Sequence, residues 1–263
     1  MAPSIASIRI KLLDSATLQP AADNRDSSPA MQAEMLRRMD LAHNYNAWLL
    51  GRARAFLGPR VLDAGAGSGT FTDLLARDHE VVALEQDREF AALLRHRYQN
   101  YSNVAVVEGD ATELYPDLAP FDAIICFNVL EHVPDDAAML MRLRLALNPG
   151  GSVLLLTPAH PRLYGSMDRT VGHVRRYTTR DIDSLLRDAG LIPIDVRYVN
   201  PLGAVGWFVS SRVVRRSYVP TRPLRLYDRL VPILRPLDRL RLPFGLSVWA
   251  RASAPSTSRT ASS

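Results

Sequence analysis

The run Val61-Leu62-Asp63-Ala64-Gly65-Ala66-Gly67-Ser68-Gly69 places three glycines on alternate positions behind a short apolar segment. Glycine at such a turn lets the backbone bend tightly and approach a ligand closely. Amides exposed where a helix begins favour a carboxylate or a phosphate. The next apolar segment, EVVALE, ends on Glu85, and a carboxylate there can accept both hydroxyls of a ribose. A third segment is followed by Glu108-Gly109-Asp110, whose acidic side chain can receive an adenine amino group. The glycine spacing is G-x-G-x-G, not the dinucleotide-binding G-x-G-x-x-G. Glycines alone are a weak signal. The order strand, three glycines, helix, strand with a terminal Glu, strand, Gly-Asp is a stronger one.

Three histidines follow later strands and are the candidate bases. His132 comes just after Leu130-Glu131, His160 sits in Thr157-Pro158-Ala159-His160-Pro161, and His173 in Gly172-His173-Val174-Arg175-Arg176-Tyr177. His132 reads equally well as a hydrogen-bonded residue that orders its loop. His43, His79 and His96 lie on helices or turns away from the strand tips and read as solvated. The histidines show no i, i+4 pairing of the zinc-protease type, so no metal site is expected. Residues 159–177 (AHPRLYGSMDRTVGHVRRY) form a long polar connection, and such loops beside a crevice are usually functional. Tyr164, Arg175 and Arg176 are its substrate-binding candidates. An arginine can grip a carboxylate or phosphate, or pair with Asp168 or Asp181 to hold the loop shut. One arginine of each kind is expected.

These residues need a scaffold that brings strand ends together. Residues 32–57 read as one helix ended by Gly58-Pro59. Strands are expected at 60–64, 80–85, 103–107, 121–127, 152–157, 192–198 and 245–251. Helices are expected at 69–77, 88–98, 135–147 and 178–189. Strands separated by helices argue for right-handed βαβ units and a mostly parallel sheet. Continuous apolar runs fit strands covered on both faces. Such a sheet opens a crevice at the carboxyl ends of its strands, where strand order reverses.

The 263 residues are 47% hydrophobic and 22% charged, an ordinary globular mix that excludes a collagen, a coiled coil or a wholly disordered chain. A single cysteine, Cys126, excludes an internal disulfide framework and any multi-cysteine zinc module. Net charge is +5, but residues 191–263 hold 12 Arg and 3 Asp, so a neutral-to-acidic body carries a basic C-terminal region. No apolar run reaches the ~20 residues of a membrane span, and the N-terminus does not read as a signal peptide. A cytoplasmic protein is expected. One domain, 31–251, is expected between disordered tails at 1–30 and 252–263.

Taken together, VLDAGAGSGTF, ALEQD, EGDA and FDAIICFNVLEHV resemble the class I S-adenosylmethionine (SAM)-dependent methyltransferases, over about residues 31–198. The 159–177 stretch resembles the PAH…LYG…D…GH-RRY segment of one bacterial subset. The resemblance implies an α/β fold: a doubly wound, Rossmann-like seven-stranded sheet, six strands parallel and the last antiparallel, with an N-terminal helical lid. It implies SAM as cofactor and S-adenosylhomocysteine as its spent form. Asp63, Gly65 and Gly67 would shape the methionine pocket, and Glu85 would hold the ribose. Gln86 and Asp87 would flank the adenine, and Asp110 and Ala111 would contact its edge. Phe127 and Asn128 would line the cofactor near the methyl group, and Tyr45 and Asn46 would belong to the lid. Another reading makes Tyr45 and Asn46 packing residues of their helix.

Methyl transfer from a sulfonium is an in-line displacement, so the protein must mainly hold a nucleophile at roughly 3–3.5 Å and in line. It must also keep water out. A base is required only when the nucleophile begins protonated, as in an alcohol or phenol.

Residues 200–244 interrupt the simplest form of this fold before its last strand, with residues 224–242 expected as an amphipathic helix broken by Pro232 and Pro236. This basic insertion could cap the substrate pocket, lie on an anionic membrane surface, bind nucleic acid, or simply pack. Cap plus packing is favoured. Nucleic acid is disfavoured, since FNVL stands where base N-methylating enzymes often carry Asn/Asp-Pro-Pro-Tyr/Phe. The expected activity is O-methylation of a small or lipid-like metabolite. The alternatives are a SAM-binding cyclase or regulator without methyl transfer, and a nicotinamide-dependent oxidoreductase, which the glycine spacing and FNVLEHV oppose.

Overall fold

A computed structural model describes residues 4–5, 29–113, 116–210 and 221–256. The expected tails at 1–3, 6–28 and 257–263 lie outside the described residues. Helices run at Pro29–Asp40 (α1), His43–Ala53 (α2), Thr70–Leu75 (α3), Arg88–Arg97 (α4), Asp136–Leu145 (α5), Ser166–Thr170 (α6), Thr179–Asp188 (α7), Pro201–Phe208 (α8) and Thr221–Leu234 (α9). Strands run at Arg60–Ala64 (β1), Glu80–Glu85 (β2), Val104–Glu108 (β3), Phe121–Phe127 (β4), Leu147–Pro158 (β5), Ile192–Val199 (β6) and Ser247–Ser253 (β7).

The strands form one sheet in the order β3-β2-β1-β4-β5-β7-β6. All pairings are parallel except those of β7, which runs antiparallel to both β5 and β6. Chain order reverses between β1 and β4, so the crevice opens beyond their carboxyl ends. Successive strand residues face opposite sides of a sheet, and two hydrophobic cores follow. Leu62, Val82 and Ile124 pack with Met139, Leu143, Ile182 and Leu186 of α5 and α7. Val61, Val81 and Ile125 pack on the other side with Leu49, Leu75 and Leu94 of α2, α3 and α4. Leu224 and Val231 of the insertion join this second core.

Four expectations are corrected. Residues 32–57 are two helices, α1 and α2, separated at Leu41-Ala42, where Ala42 is fully buried. Residues 252–254 do not belong to a tail: β7 runs to Ser253, and Ala252 and Ala254 are buried. Near the other end, Ile5 is buried in the first core, and its N–H donates to Glu80 Oε1 at 3.3 Å. Finally, Pro232 does not break α9 but lies inside it. Proline in a helix interior leaves the carbonyl four residues back without its donor. That carbonyl belongs to Asp228, and Asn44 Nδ2 donates to it at 3.2 Å. Beyond α9 the chain tightens to a 3-10 helix, Arg235–Leu240, which contains Pro236.

Candidate active site

Between β1 and α3 the backbone turns through Gly65, Gly67 and Gly69, all at positive φ. The Gly65 and Ala66 amides donate to the Leu84 carbonyl at 2.9 and 3.0 Å, which ties the turn to the end of β2. A Cβ on Gly65 would stand 2.4 Å from Val129, so the loop after β4 lies directly over this glycine. Beneath the turn, Asp63 is buried and accepts the Thr72 hydroxyl at 2.6 Å. Burial pushes its carboxyl up to about 7, against the pull of the Thr72 hydroxyl.

Glu85 ends β2 as expected. Its Oε2 accepts the Gly67 amide at 2.6 Å and its Oε1 the Asp87 amide at 2.8 Å. Burial pushes this carboxyl up too, while the Asp87 and Gly67 amides pull it down. A carboxylate offers about four lone-pair sites. Backbone amides of Gly67 and Asp87 engage two, so the remaining acceptor positions fit the two hydroxyls of a ribose, and the turn above it carries no side chain at Gly65 or Gly67.

Asp87 caps α4, accepting the Glu89 and Phe90 amides at 2.9 and 3.0 Å. Gln86 beside it is exposed. Asp110 Oδ1 accepts the Thr112 amide at 2.8 Å, and Ala111 is buried in the first core. Phe127 is buried, with its ring edge-on to Phe71 at 5.0 Å and 5.7 Å from Trp249. Asn128 is exposed at φ 55°, and its amide donates to Leu156 at 2.7 Å.

The N-terminal helices contact the turn by a route the sequence did not reveal. Asp40, the last residue of α1, accepts the Ser68 hydroxyl at 2.7 Å and also the Thr70 hydroxyl. Leu36 lies against Gly67. Tyr45 and Asn46 pack α2 against its neighbours. The Asn46 amide donates to the Met39 carbonyl at 3.1 Å, joining α1 to α2. The Tyr45 ring lies 5.6 Å from Trp48 and 6.2 Å from Tyr227 of α9.

Beyond β4, the chain folds His132 against His173, with ring centroids 4.8 Å apart. Glu131 faces both and is fully buried. Burial pushes its carboxyl up to about 7, partly offset by His173, and burial together with His173 pushes His132 down to about 3. Asp168 anchors this group, with Oδ1 2.9 Å from His173 Nδ1 and 2.7 Å from Arg176 Nε. His160 is placed apart from this pair: it stacks on Tyr198 at 4.4 Å and faces the Gly245 amide through Nε2.

Arg175 and Arg176 both have protein partners. Arg176 is buried on Asp168 and the Ala159 carbonyl, and its guanidinium lies 4.8 Å from the Trp207 ring centroid. Arg175 pairs with Asp136 at 2.8 Å and with the Pro134 carbonyl. The Tyr164 hydroxyl donates to the His173 carbonyl at 2.7 Å. All three therefore hold the loop, and the expected division into one structural and one substrate-facing arginine is not what the contacts describe. Asp40, Glu131 and Asp136 escaped the sequence reading. Only Glu131 carried a signal, a carboxylate just after the apolar run that ends in Phe127.

A sheet with this strand order, glycine turn and terminal Glu defines a Rossmann-like, nucleoside-cradling transferase fold. A family model described as a methyltransferase domain matches residues 31–195, and the chain belongs to that family, the class I SAM-dependent methyltransferases. A Mycobacterium tuberculosis protein named probable S-adenosylmethionine-dependent methyltransferase is 30% identical over 137 residues, which are 51% of this chain and 49% of that protein. The ubiquinone biosynthesis O-methyltransferase of Xylella fastidiosa is 37% identical over 103 residues, 38% of this chain and 42% of that one. The matches thus span half or less of these relatives. Haemonchus contortus phosphoethanolamine N-methyltransferase 2, solved with SAM, shares the fold at a TM-score of 0.57 and 21% identity, over 81% of this chain and 53% of that one.

Proposed function

We propose that the chain binds SAM across the Gly65–Gly67 turn and Glu85, and transfers its methyl group to a hydroxyl oxygen of a small, lipid-like acceptor. When bound, the cofactor supplies an activated methyl on a sulfonium. Glu85 holds the ribose, Asp63 and the glycine turn shape the methionine end, and Asp110 and Ala111 meet the adenine edge. Phe127 and Asn128 border the reacting centre, and the Asp40 contact keeps α1 over the turn. His160 is engaged by Tyr198 and Gly245. The group after β4, Glu131 with His132 and His173, is then left to ease loss of the acceptor's proton.

The observation that carries the lipid-like acceptor lies on α9. Its inner side packs Leu224 and Val231, while Leu226, Leu230 and Ile233 (74% exposed) face outward at helical spacing. Exposed Arg222, Arg225 and Arg229 flank them. An apolar stripe bordered by arginines suits the surface of an anionic bilayer. Among the described residues no helix is long and apolar enough to cross a membrane, so the contact would be peripheral. The name of the Xylella relative favours oxygen as the acceptor atom.

The test is transfer of labelled methyl from SAM to fractionated extracts. Label should enter the lipid fraction and be released by ether-cleaving rather than amine-directed chemistry. Label confined to water-soluble amines would overturn the acceptor class. Salt-sensitive flotation with phosphatidylserine vesicles, lost in Leu226→Glu/Ile233→Glu, tests the surface separately; no flotation of the parent chain removes it.

A further inference from the structure

Glu131 is fully buried, and neither carboxylate oxygen has a hydrogen-bond partner among the described residues. An unpaired buried carboxylate is costly unless a cation or a proton neutralises it. Arg176 and Arg175 of the 159–177 loop are already matched, by Asp168 at 2.7 Å and by Asp136 at 2.8 Å. Glu131 is the carboxylate left over.

Two imidazoles face it. One ligand atom from each of Glu131, His132 and His173 lies within 4.8 Å of the other two. His173 presents Nδ1 to Asp168 at 2.9 Å, which leaves Nε2 turned toward Glu131 Oε1 at 3.7 Å. That second distance is too long for a hydrogen bond. A carboxylate on the far nitrogen of an imidazole is the arrangement that fixes metal-ligating histidines. Tetrahedral bonds of about 2.0–2.1 Å set ligand atoms roughly 3.3 Å apart, so these side chains need to close by about an ångström. Two nitrogens and one carboxylate suit zinc or another first-row divalent ion, whereas magnesium and calcium prefer oxygen ligands.

We infer that Glu131, His132 and His173 bind a first-row divalent cation, with Asp168 orienting His173. The fourth position is left for the acceptor oxygen. This deepens the reading given above and rests on it in one respect, that the acceptor hydroxyl meets this group. There the cation makes the hydroxyl more acidic. The O–H bond breaks and its proton leaves to water. The oxygen forms the new bond to the methyl carbon, and the S–CH3 electron pair returns to sulfur.

Metal binding is tested without turnover. The full chain is stripped with chelator, dialysed against cobalt(II) or zinc, and assayed for metal content and for cobalt absorption in the visible range, with SAM binding measured in parallel. About one equivalent of metal is expected. Glu131→Gln and His173→Ala should each lower it to background while SAM still binds. Asp168→Asn should weaken affinity about 10–100-fold. If either ligand variant fails to melt cooperatively, His132→Ala, at a partly exposed position, takes its place. A parent chain that binds SAM but no cobalt overturns the cation alone, as does metal retained undiminished by the ligand variants. A chain that binds cobalt but no SAM overturns the cofactor reading and leaves the cation standing.

Discussion

Asp228 of the insertion accepts the backbone amide of Tyr45 at 2.9 Å, across 183 positions of chain. Its other oxygen takes the Asn44 amide and the Asn44 side chain, each at 3.2 Å. The first turn of α2 has amides without intrahelical partners, and here they are satisfied by a residue on α9, not by a neighbour in sequence. Asn44 returns the contact by donating to the carbonyl that Pro232 leaves free. The insertion is therefore joined to the N-terminal helices through polar groups as well as through Leu224 and Val231.

Asp228→Ala removes both side-chain acceptor oxygens and with them the three hydrogen bonds from Asn44 and Tyr45. The loss should be about 2 kcal/mol, which for a domain of this size lowers the melting temperature by about 4–8 °C. A calorimetric scan showing less than a degree of change would mean that the insertion is held by its apolar contacts alone.

The inner strands β1 to β4 were legible in the sequence because each is an apolar run buried along nearly its whole length, and Glu85, the glycine turn and Phe127 follow from where those runs end. What was not legible depends on residues far apart in the chain. A single helix over 32–57 was a fair reading of periodicity, yet α1 stops at Asp40 so that its carboxylate meets Ser68 and Thr70. Pro232 reads as a breaker, and only the donor from Asn44 shows why the helix continues. Glu131 and His173 have α5, β5 and α6 between them, so no local spacing rule could pair them.

Glu85→Gln should weaken SAM binding about 10–100-fold, since hydrogen bonds to a charged group are each worth roughly 1.5–3 kcal/mol. The variant also turns an amide N–H2 toward one of two backbone donors, Gly67 or Asp87. Titration calorimetry with SAM reads the effect. Affinity equal to that of the parent would show that the ribose does not meet this side chain.

Burial raises the carboxyl of Asp63 to about 7 in the folded protein, against about 3.9 in an unfolded chain. A raised acid favours the folded state below the unfolded value, and that advantage is lost as pH climbs through about 4 to 7. The loss is on the order of 4 kcal/mol. Asp63→Asn stays neutral and can still accept the Thr72 hydroxyl. Urea unfolding at pH 5 and pH 8 should therefore show the variant gaining on the parent at the higher pH. Parallel stability curves would contradict a protonated Asp63.

Cys126 is fully buried on β4. Burial pushes its thiol up, and Glu131 and Asp63 push it further. The thiolate is the reactive form, so iodoacetamide should not label the native protein on the timescale that labels it in urea. Rapid native labelling would mean that β4 is open to solvent.

Gly65 and Gly67 separate two demands that the same turn makes. A Cβ at Gly65 would lie 2.4 Å from Val129 Cγ2, at φ +80°. Gly65→Ala must therefore move the loop after β4 that carries Asn128, Val129 and Glu131, or move the turn itself. Overpacking of this kind costs about 1–3 kcal/mol, to which the left-handed backbone adds about 1–2. A Cβ at Gly67 would meet only Leu36 at 3.6 Å, an ordinary contact, and its φ of +53° lies in the left-handed region open to other residues. Gly67→Ala should thus cost only about 1–2 kcal/mol. If the turn is the cofactor's seat, Gly65→Ala loses both stability and SAM binding, while Gly67→Ala keeps most of its stability and loses affinity wherever the ligand approaches the backbone closely. Equal stability losses for the two variants, measured by urea unfolding, would show that Val129 is free to move away and that the loop after β4 is not seated on the turn.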